Sequence, residues 1–304
     1  MKILITGGTG MLGSAFEGEN IIKTNSREFD LTNLTDALNM LRKYQPTHVI
    51  HLAAKVGGLG ANMKNKADFY RDNILINTNV LEAARIYKVK KLLSLMSTCV
   101  YPANAELPLK EGSLHVGAPH SSNFGYAYAK RALDVQSRAY RQQYGCNFIT
   151  AIPNNLFGER DNFDLENSHV IPAIIRKVYE AKKNNKSVLL WGDGSPLREF
   201  TYSKDMAKAL MFVLKNYKDA TPINVGNTYE HSIKEIATTI SDIMDFKGDI
   251  IWDTSKPKGQ YSKPSSGEKL ELLGYDRNLF TPTKKALEKT CDWFVENYPN
   301  VRGV

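Results

Sequence analysis

The feature that most constrains this chain is the run Thr6-Gly7-Gly8-Thr9-Gly10-Met11-Leu12-Gly13, which directly follows a short apolar run at residues 2–6. Glycines at 7, 10 and 13 permit a tight turn, let a backbone approach a pyrophosphate, and pack a helix closely on a strand. A glycine triplet alone is a weak signal, equally read as an ordinary turn. Between a strand and a helix opened by Met11 and Leu12, it is the pattern of a dinucleotide site, where helix N–H groups meet phosphate.

The rest of the first half keeps one rhythm. Apolar runs at 21–23, 47–52, 91–97 and 147–152 read as strands. Helical spacing at 34–44, 73–87 and 126–144 reads as the helices between them. Such alternation predicts a parallel sheet with right-handed crossovers, a Rossmann-type doubly wound α/β fold. Beyond Pro153 the rhythm loosens. Residues 158–168 and 255–267 read as loops, 172–183, 203–217, 232–244 and 282–298 as helices, and 187–191, 223–225 and 249–252 as strands. The expected organisation is a dinucleotide-binding unit over 1–152, to which 187–225 can add a strand and a helix. A smaller α/β lobe over 153–304 then holds the substrate.

Composition narrows the function classes. A hydrophobic fraction of 42% builds a core without disulfides or metals. Cys99, Cys146 and Cys291 are scattered and odd in number, with no CxxC pair, so neither a disulfide framework nor a metal site is expected. No apolar run reaches the roughly 18 to 20 residues that cross a bilayer, and no cleavable leader is recognisable. A cytoplasmic protein is expected. The formal charge of +8 is spread along the chain rather than massed in a stripe. Solvated lysines and a phosphate-bearing ligand account for it without nucleic acid.

After the second strand, an acid would hold the adenosine ribose hydroxyl, whereas a base accommodates a 2′-phosphate. Here stands Lys23-Thr24-Asn25-Ser26-Arg27, with no acid until Glu28, so Ser26 and Arg27 point to NADP(H). A solvated Arg27 is the alternative. A tyrosine four residues before a lysine occurs three times, as Tyr87/Lys91, Tyr126/Lys130 and Tyr179/Lys183. On one helix face an ammonium beside a phenol lowers its pKa from about 10. Tyr87/Lys91 straddles a helix end and Tyr179/Lys183 lies outside the nucleotide-binding half. Tyr126/Lys130 instead opens the helix that follows Ser97, at the carboxyl end of the fourth strand, where open α/β sheets bind ligands.

Thr6–Gly13, Leu52-Ala53-Ala54, Ser97 and Tyr126/Lys130 together resemble the extended short-chain dehydrogenases/reductases. Five further stretches resemble the GDP-L-fucose synthase branch. They are Ala53-Ala54-Lys55-Val56-Gly57-Gly58, Ser97-Thr98-Cys99-Val100-Tyr101-Pro102, Asp161-Asn162-Phe163, Asn167-Ser168-His169-Val170-Ile171-Pro172-Ala173 and Arg198-Glu199-Phe200. The closing Trp293-Phe294-Val295-Glu296-Asn297 agrees, so the resemblance spans nearly the whole chain.

The resemblance implies an NADPH-dependent 4-reductase of a GDP-4-keto sugar that also epimerises C3 and C5, and a homodimer built on the 73–87 and 126–144 helices. It implies that Tyr126 protonates the C4 oxygen, Ser97 hydrogen-bonds it and Lys130 tunes the phenol, while Cys99 and His169 move protons at C3 and C5. Leu52, Ala53, Ala54, Pro153, Asn155 and His169 are implied at the cofactor. Asn155, Val170, Lys177, Trp191, Arg198 and Lys263 are implied at the substrate. Taken alone, Cys99 reads as a small buried residue, and His169 as a phosphate contact or helix cap. One position and one stretch depart from the family pattern. Lys177 replaces an arginine fork with a point charge, and Ser262-Lys263-Pro264-Ser265-Ser266 replaces an arginine-lysine pair and its following leucines and aspartate. Those departures leave open a C4 reductase of another GDP-4-keto sugar, such as a heptose, with little or no epimerisation. A non-catalytic nucleotide sensor on the same scaffold is the reading from a different class. An epimerase holding NAD permanently would require an acid after the second strand.

Overall fold

The computed structural model describes residues 1–256 and 261–304. Its first half runs β1 (Ile3–Thr6), α1 (Met11–Ser14), β2 (Ile21–Lys23), α2 (Leu34–Tyr44), β3 (His48–His51), α3 (Leu59–Lys64), α4 (Lys66–Ile86), β4 (Lys91–Leu95), α5 (Phe124–Tyr144) and β5 (Phe148–Pro153). The second half runs β6 (Asn155–Phe157), α6 (Val170–Asn184), β7 (Val188–Trp191), β8 (Leu197–Tyr202), α7 (Ser203–Asn216), β9 (Ile223–Val225), β10 (Glu230–Ser232), α8 (Ile233–Ile243), β11 (Ile250–Asp253), α9 (Glu268–Leu272) and α10 (Thr283–Asn297).

Six strands form one parallel sheet in the order β2-β1-β3-β4-β5-β9. Both faces of this sheet are covered, as parallel strands require. Along β1, Ile3 and Ile5 enter one apolar cluster with α7 residues Met206, Leu210 and Val213, while Leu4 enters the other with Met40, Val80 and Leu133. The two-residue period of the strand therefore assigns neighbouring side chains to opposite layers. A third cluster unites α6, α8 and α10 around Ile174, Ile240, Leu287 and Phe294. Ser232 starts α8 with a reciprocal cap, its hydroxyl accepting from Glu235 N at 3.0 Å while Ser232 N donates to the Glu235 carboxylate at 2.7 Å.

The parallel α/β fold expected from the alternating runs is the one observed, with differences in its elements. Helix α4 begins at Lys66 rather than near 73, because its polar first turns hide the periodicity that buries Phe69. Helix α6 begins at Val170 and α10 at Thr283, each shifted by one or two residues from the expected start. Strands β6, β8 and β10 are too short or too polar to register as apolar runs, yet they pair into a three-stranded sheet. Of the 187–225 segment, α7 and β9 join the large sheet, whereas β7 pairs with β11. Part of the expected 255–267 loop, residues 257–260, lies outside the described residues.

Between β1 and β3 the chain switches direction across the sheet, which opens a crevice at the strands' carboxyl ends. A buried relay fixes this crevice to α5. Leu52 N and Ala53 N donate to Thr6 Oγ1, and Thr6 Oγ1 lies 2.8 Å from His51 Nδ1. His51 Nε2 lies 3.2 Å from Asn77 Oδ1, and Asn77 Nδ2 donates to Ala129 O at 3.0 Å. Burial and the nearby Lys130 charge lower the His51 pKa to about 3, so the ring is neutral and carries one donor and one acceptor. Asn77→Ala removes the partner of buried His51 Nε2 and the side-chain donor to Ala129 O. The expected cost is about 1–3 kcal/mol, read as a lower midpoint in chemical denaturation with an unchanged slope.

Candidate active site

A continuous cleft of about 1710 Å³ follows the carboxyl ends of the large sheet and extends under the second lobe. At one end, Gly7, Gly10, Met11, Leu12 and Gly13 line it together with Leu52, Ala53 and Ala54. Gly7 has φ of +68°, and a Cβ there would press on the Ala53 backbone at 3.0 Å. A Cβ on Gly13 would run into the Gly7 carbonyl oxygen. Helix α1 presents its first, unpaired N–H groups to this end of the cleft. Lys23 is not available to a ligand phosphate, since its ammonium donates to Ser14 O at 2.9 Å. Ser26 and Arg27 are exposed on the cleft wall, in a turn closed by Arg27 N donating to Asn25 Oδ1 at 2.9 Å.

Ser97 sits just past β4 and Cys99 in the short 3-10 turn that follows. Tyr126 and Lys130 project from the first turns of α5. The Lys130 ammonium donates to Leu95 O at 2.9 Å and lies 6.0 Å from the Tyr126 ring centroid. Phe69 meets that phenol edge-on, with centroids 6.3 Å apart. Burial lowers the Lys130 pKa to about 8, and burial together with the Cys99 charge raises that of Tyr126, the reverse of the lowering expected from its lysine neighbour. The phenol therefore holds its proton at neutral pH. Cys99 is pushed up by burial, with Lys263, a hydrogen bond from Ser97 and Lys130 acting the other way. His169 stands at the start of α6, accessible from the cleft, and desolvation followed by the Arg302 charge lowers its pKa.

Toward the second lobe the wall contains Pro153, Asn155, Val170, Trp191, Arg198 and Lys263. Asn155 Nδ2 donates to Glu199 O at 2.9 Å, and Arg198 Nη1 to Leu197 O at 2.6 Å. Trp191, at the end of β7, exposes 57% of its surface, enough to offer a face to a planar ligand. Lys177 is not among the cleft-lining residues, in contrast to the position implied by the family pattern. The α6 phase instead delivers its ammonium to Leu189 O at 2.8 Å.

Residues that the motifs do not single out hold this wall together. Buried Glu199 accepts from Ser265 N at 2.9 Å, Ser265 Oγ at 2.6 Å and Asn154 Nδ2 at 3.3 Å. Pro264 O and Ser266 N pair with Leu109, and Asn224 Nδ2 donates to Leu109 O while its Oδ1 accepts from Tyr101 at 2.6 Å. The altered 262–266 stretch is thus laced to the large sheet, and Lys263 is fixed close enough to Cys99 for their charges to interact. An acid flanked by Arg198 and Phe200 was the available signal for Glu199. Among the described residues no His/Cys/Asp/Glu group could hold a metal, and no helix is long and apolar enough to cross a membrane.

The sequence profile of the NAD dependent epimerase/dehydratase family matches residues 3–226. A GDP-L-fucose synthase of Dictyostelium discoideum is 44% identical over 99% of this chain and 97% of its own length. A GDP-L-fucose synthetase of Naegleria fowleri, solved bound to NADP, superposes with a TM-score of 0.91 at 41% identity, covering 99% of this chain and 94% of that one. A GDP-6-OMe-4-keto-L-xylo-heptose reductase of C. jejuni superposes with a TM-score of 0.89 at 29% identity, covering 97% of each chain.

Proposed function

Because the chain belongs to the NAD dependent epimerase/dehydratase family, we propose that its cleft reduces the C4 carbonyl of a GDP-4-keto-6-deoxyhexose and inverts C3 and C5, yielding GDP-L-fucose or a close relative. The chain is an NADP-dependent oxidoreductase acting on a nucleotide sugar. The observation that carries the fuller reading is one cleft lined by two proton-handling sets. Ser97, Tyr126 and Lys130 form one, Cys99 and His169 the other.

The cradle fits NADP(H). The space beside Gly10 is open apart from the Gly7 carbonyl, the α1 N–H groups face it, and Ser26 and Arg27 suit a 2′-phosphate. Leu52, Ala53, Ala54 and Pro153 complete the cofactor wall. When bound, the reduced cofactor supplies the hydride. The chain's residues handle the rest. Tyr126, kept protonated by burial, gives its proton to the C4 oxygen. Ser97 hydrogen-bonds that oxygen, and the Lys130 ammonium stabilises the phenolate left behind. The C4 carbonyl acidifies the hydrogens on C3 and C5. One of Cys99 and His169 removes such a proton and the other delivers one to the opposite face, while Ser97 and Tyr126 support the enolate oxygen.

Asn155, Val170, Trp191, Arg198 and Lys263 bind the GDP-sugar, with Arg198 gripping phosphate oxygens. The 1–152 segment, completed by α7 and β9, carries the cofactor, and the remainder of the second half carries the sugar nucleotide. Exposed apolar residues Tyr70 and Leu75 on α4 and Phe124, Tyr128 and Val135 on α5 support a homodimer through these two helices. We place the protein in the cytoplasm.

The altered 262–266 stretch favours a second reading, a C4 reductase of a GDP-heptose without epimerisation. The test is to mix protein, NADPH and GDP-4-keto-6-deoxymannose in D2O and analyse the product by NMR and mass spectrometry. Deuterium at C3 and C5 with NADPH oxidation supports the epimerase/reductase. Reduction without exchange supports the second reading. No oxidation with any GDP-4-keto sugar overturns both. Glu199→Ala loosens the strap that carries Lys263, so the KM for the GDP-sugar should rise about tenfold, equivalent to about 1.4 kcal/mol. Steady-state titration of the sugar at saturating NADPH checks this.

A further inference from the structure

The segment ahead of α5 is tied to both elements that carry the reducing residues. Ala103 N, just past the stretch that holds Ser97 and Cys99, donates to Ala118 O at 2.9 Å, and Pro102 forms a bridge with Pro119. Buried Arg131 of α5 clasps the same two stretches together. Its Nε donates to Val100 O at 3.0 Å and its Nη1 to Gly117 O at 2.8 Å. At the other end Asn123 N donates to His120 O at 3.3 Å and Ala127 N to Asn123 O at 3.0 Å. The segment therefore turns directly into the start of α5, where Tyr126 stands. His120, Ser122, Asn123 and Tyr126 all line the cleft.

One ring nitrogen of His120 is committed to this turn. Ser122 N donates to Nδ1 at 3.2 Å, and Ser122 Oγ lies 2.7 Å from the same nitrogen. Nδ1 is thus the acceptor, and the neutral ring carries its hydrogen on Nε2. That nitrogen has no hydrogen-bond partner among the described residues, and His120 is only half-buried. The result is a donor of fixed identity left open in the segment that joins the Ser97 stretch to the Tyr126 helix.

We propose that His120 is a further substrate-binding residue, whose Nε2–H donates to a hydroxyl oxygen of the sugar while Tyr126 addresses the C4 oxygen. The ties to α5 and to the Ser97 stretch put this donor at the sugar end of the cleft, since Trp191 and Arg198 on the second lobe take the nucleotide. A hydroxyl can donate or accept, so a donor that cannot change role fixes which way that hydroxyl turns. The inference rests on the GDP-sugar reading of the cleft and not on epimerisation.

Two substitutions separate the roles of the two ring nitrogens. In His120→Asn the side-chain oxygen can replace Nδ1 as the acceptor for Ser122 N, but the Nε2 donor is lost. In His120→Gln the side-chain amide can replace the Nε2 donor. The KM for GDP-4-keto-6-deoxymannose should rise about tenfold in His120→Asn, with the affinity for GDP alone unchanged, and His120→Gln should recover most of the loss. An unchanged KM in His120→Asn, a KM in His120→Gln no better than in His120→Asn, or an equal loss of GDP affinity overturns the proposal. A second measurement uses NMR of the full-length protein labelled at the histidine ring nitrogens, with the His120 signals assigned by their loss in His120→Asn. The free protein should show the Nε2–H form, and GDP-L-fucose, but not GDP, should shift that nitrogen. If GDP-L-fucose shifts the His169 signals and leaves His120 unmoved, His120 alone loses its role. If GDP-L-fucose shifts neither and does not bind, the GDP-sugar reading falls and takes this proposal with it.

Discussion

Tyr126→Phe should lower kcat for NADPH oxidation by about 10²–10⁴-fold, the range for loss of a positioned general acid, while NADPH still binds. The ring remains packed on Phe69, so the loss reports the missing proton rather than a collapsed site. Lys130 adds a pH signature. Its pKa stands near 8 instead of 10.5 because the ammonium is buried. The charged form is the active one, so the rate should fall as pH rises through about 8. Stability should move the other way. Between about 8 and 10.5 the unfolded chain holds more protons on this lysine than the folded chain does, so this group makes stability rise with pH. A rate that falls while the melting temperature holds or climbs identifies the lysine, whereas a parallel fall in both would contradict this account.

Cys99→Ser and His169→Gln should each reduce deuterium incorporation at C3 and C5 by about 10²-fold or more. A serine hydroxyl is a far weaker acid than a thiol, and glutamine cannot carry a transferable proton at neutral pH. The sugar formed should shift toward the C4-reduced product with C3 and C5 unaltered, visible by NMR. Full exchange in either variant would remove that residue from the proton-transfer role.

The local motifs made the large sheet and much of the cleft legible. Gly7 to Gly13 must lie between a strand and a helix, and the helical spacing of Tyr126 and Lys130 places both on one face whatever surrounds them. Contacts across long stretches of chain were not legible. Glu199 reaches Ser265, His51 reaches Asn77, and Arg302 comes back to Phe163, and no local periodicity encodes such meetings. Lys177 shows the converse. Its place in the α6 pattern matches a family position, yet the helix's rotation points its ammonium at a backbone carbonyl. Strands β6, β8 and β10 owe their existence to one another, since none is apolar enough to declare itself.

One edge strand of the large sheet, β9, is supplied by residues 223–225, after the chain has passed through β6, α6, β7, β8 and α7. This has a consequence for synthesis. When the ribosome has released only the first 152 residues, β5 is an open edge and the face formed by Ile3, Ile5, Leu93 and Ile149 lacks Met206, Leu210 and Val213. An emerging chain of that length shows unpaired backbone and uncovered hydrocarbon together, the combination that invites sticking. The nucleotide-binding half therefore cannot finish folding behind its own translation. It waits for α7 and β9, and any stop codon before residue 225 yields a fragment prone to aggregate rather than a smaller working protein.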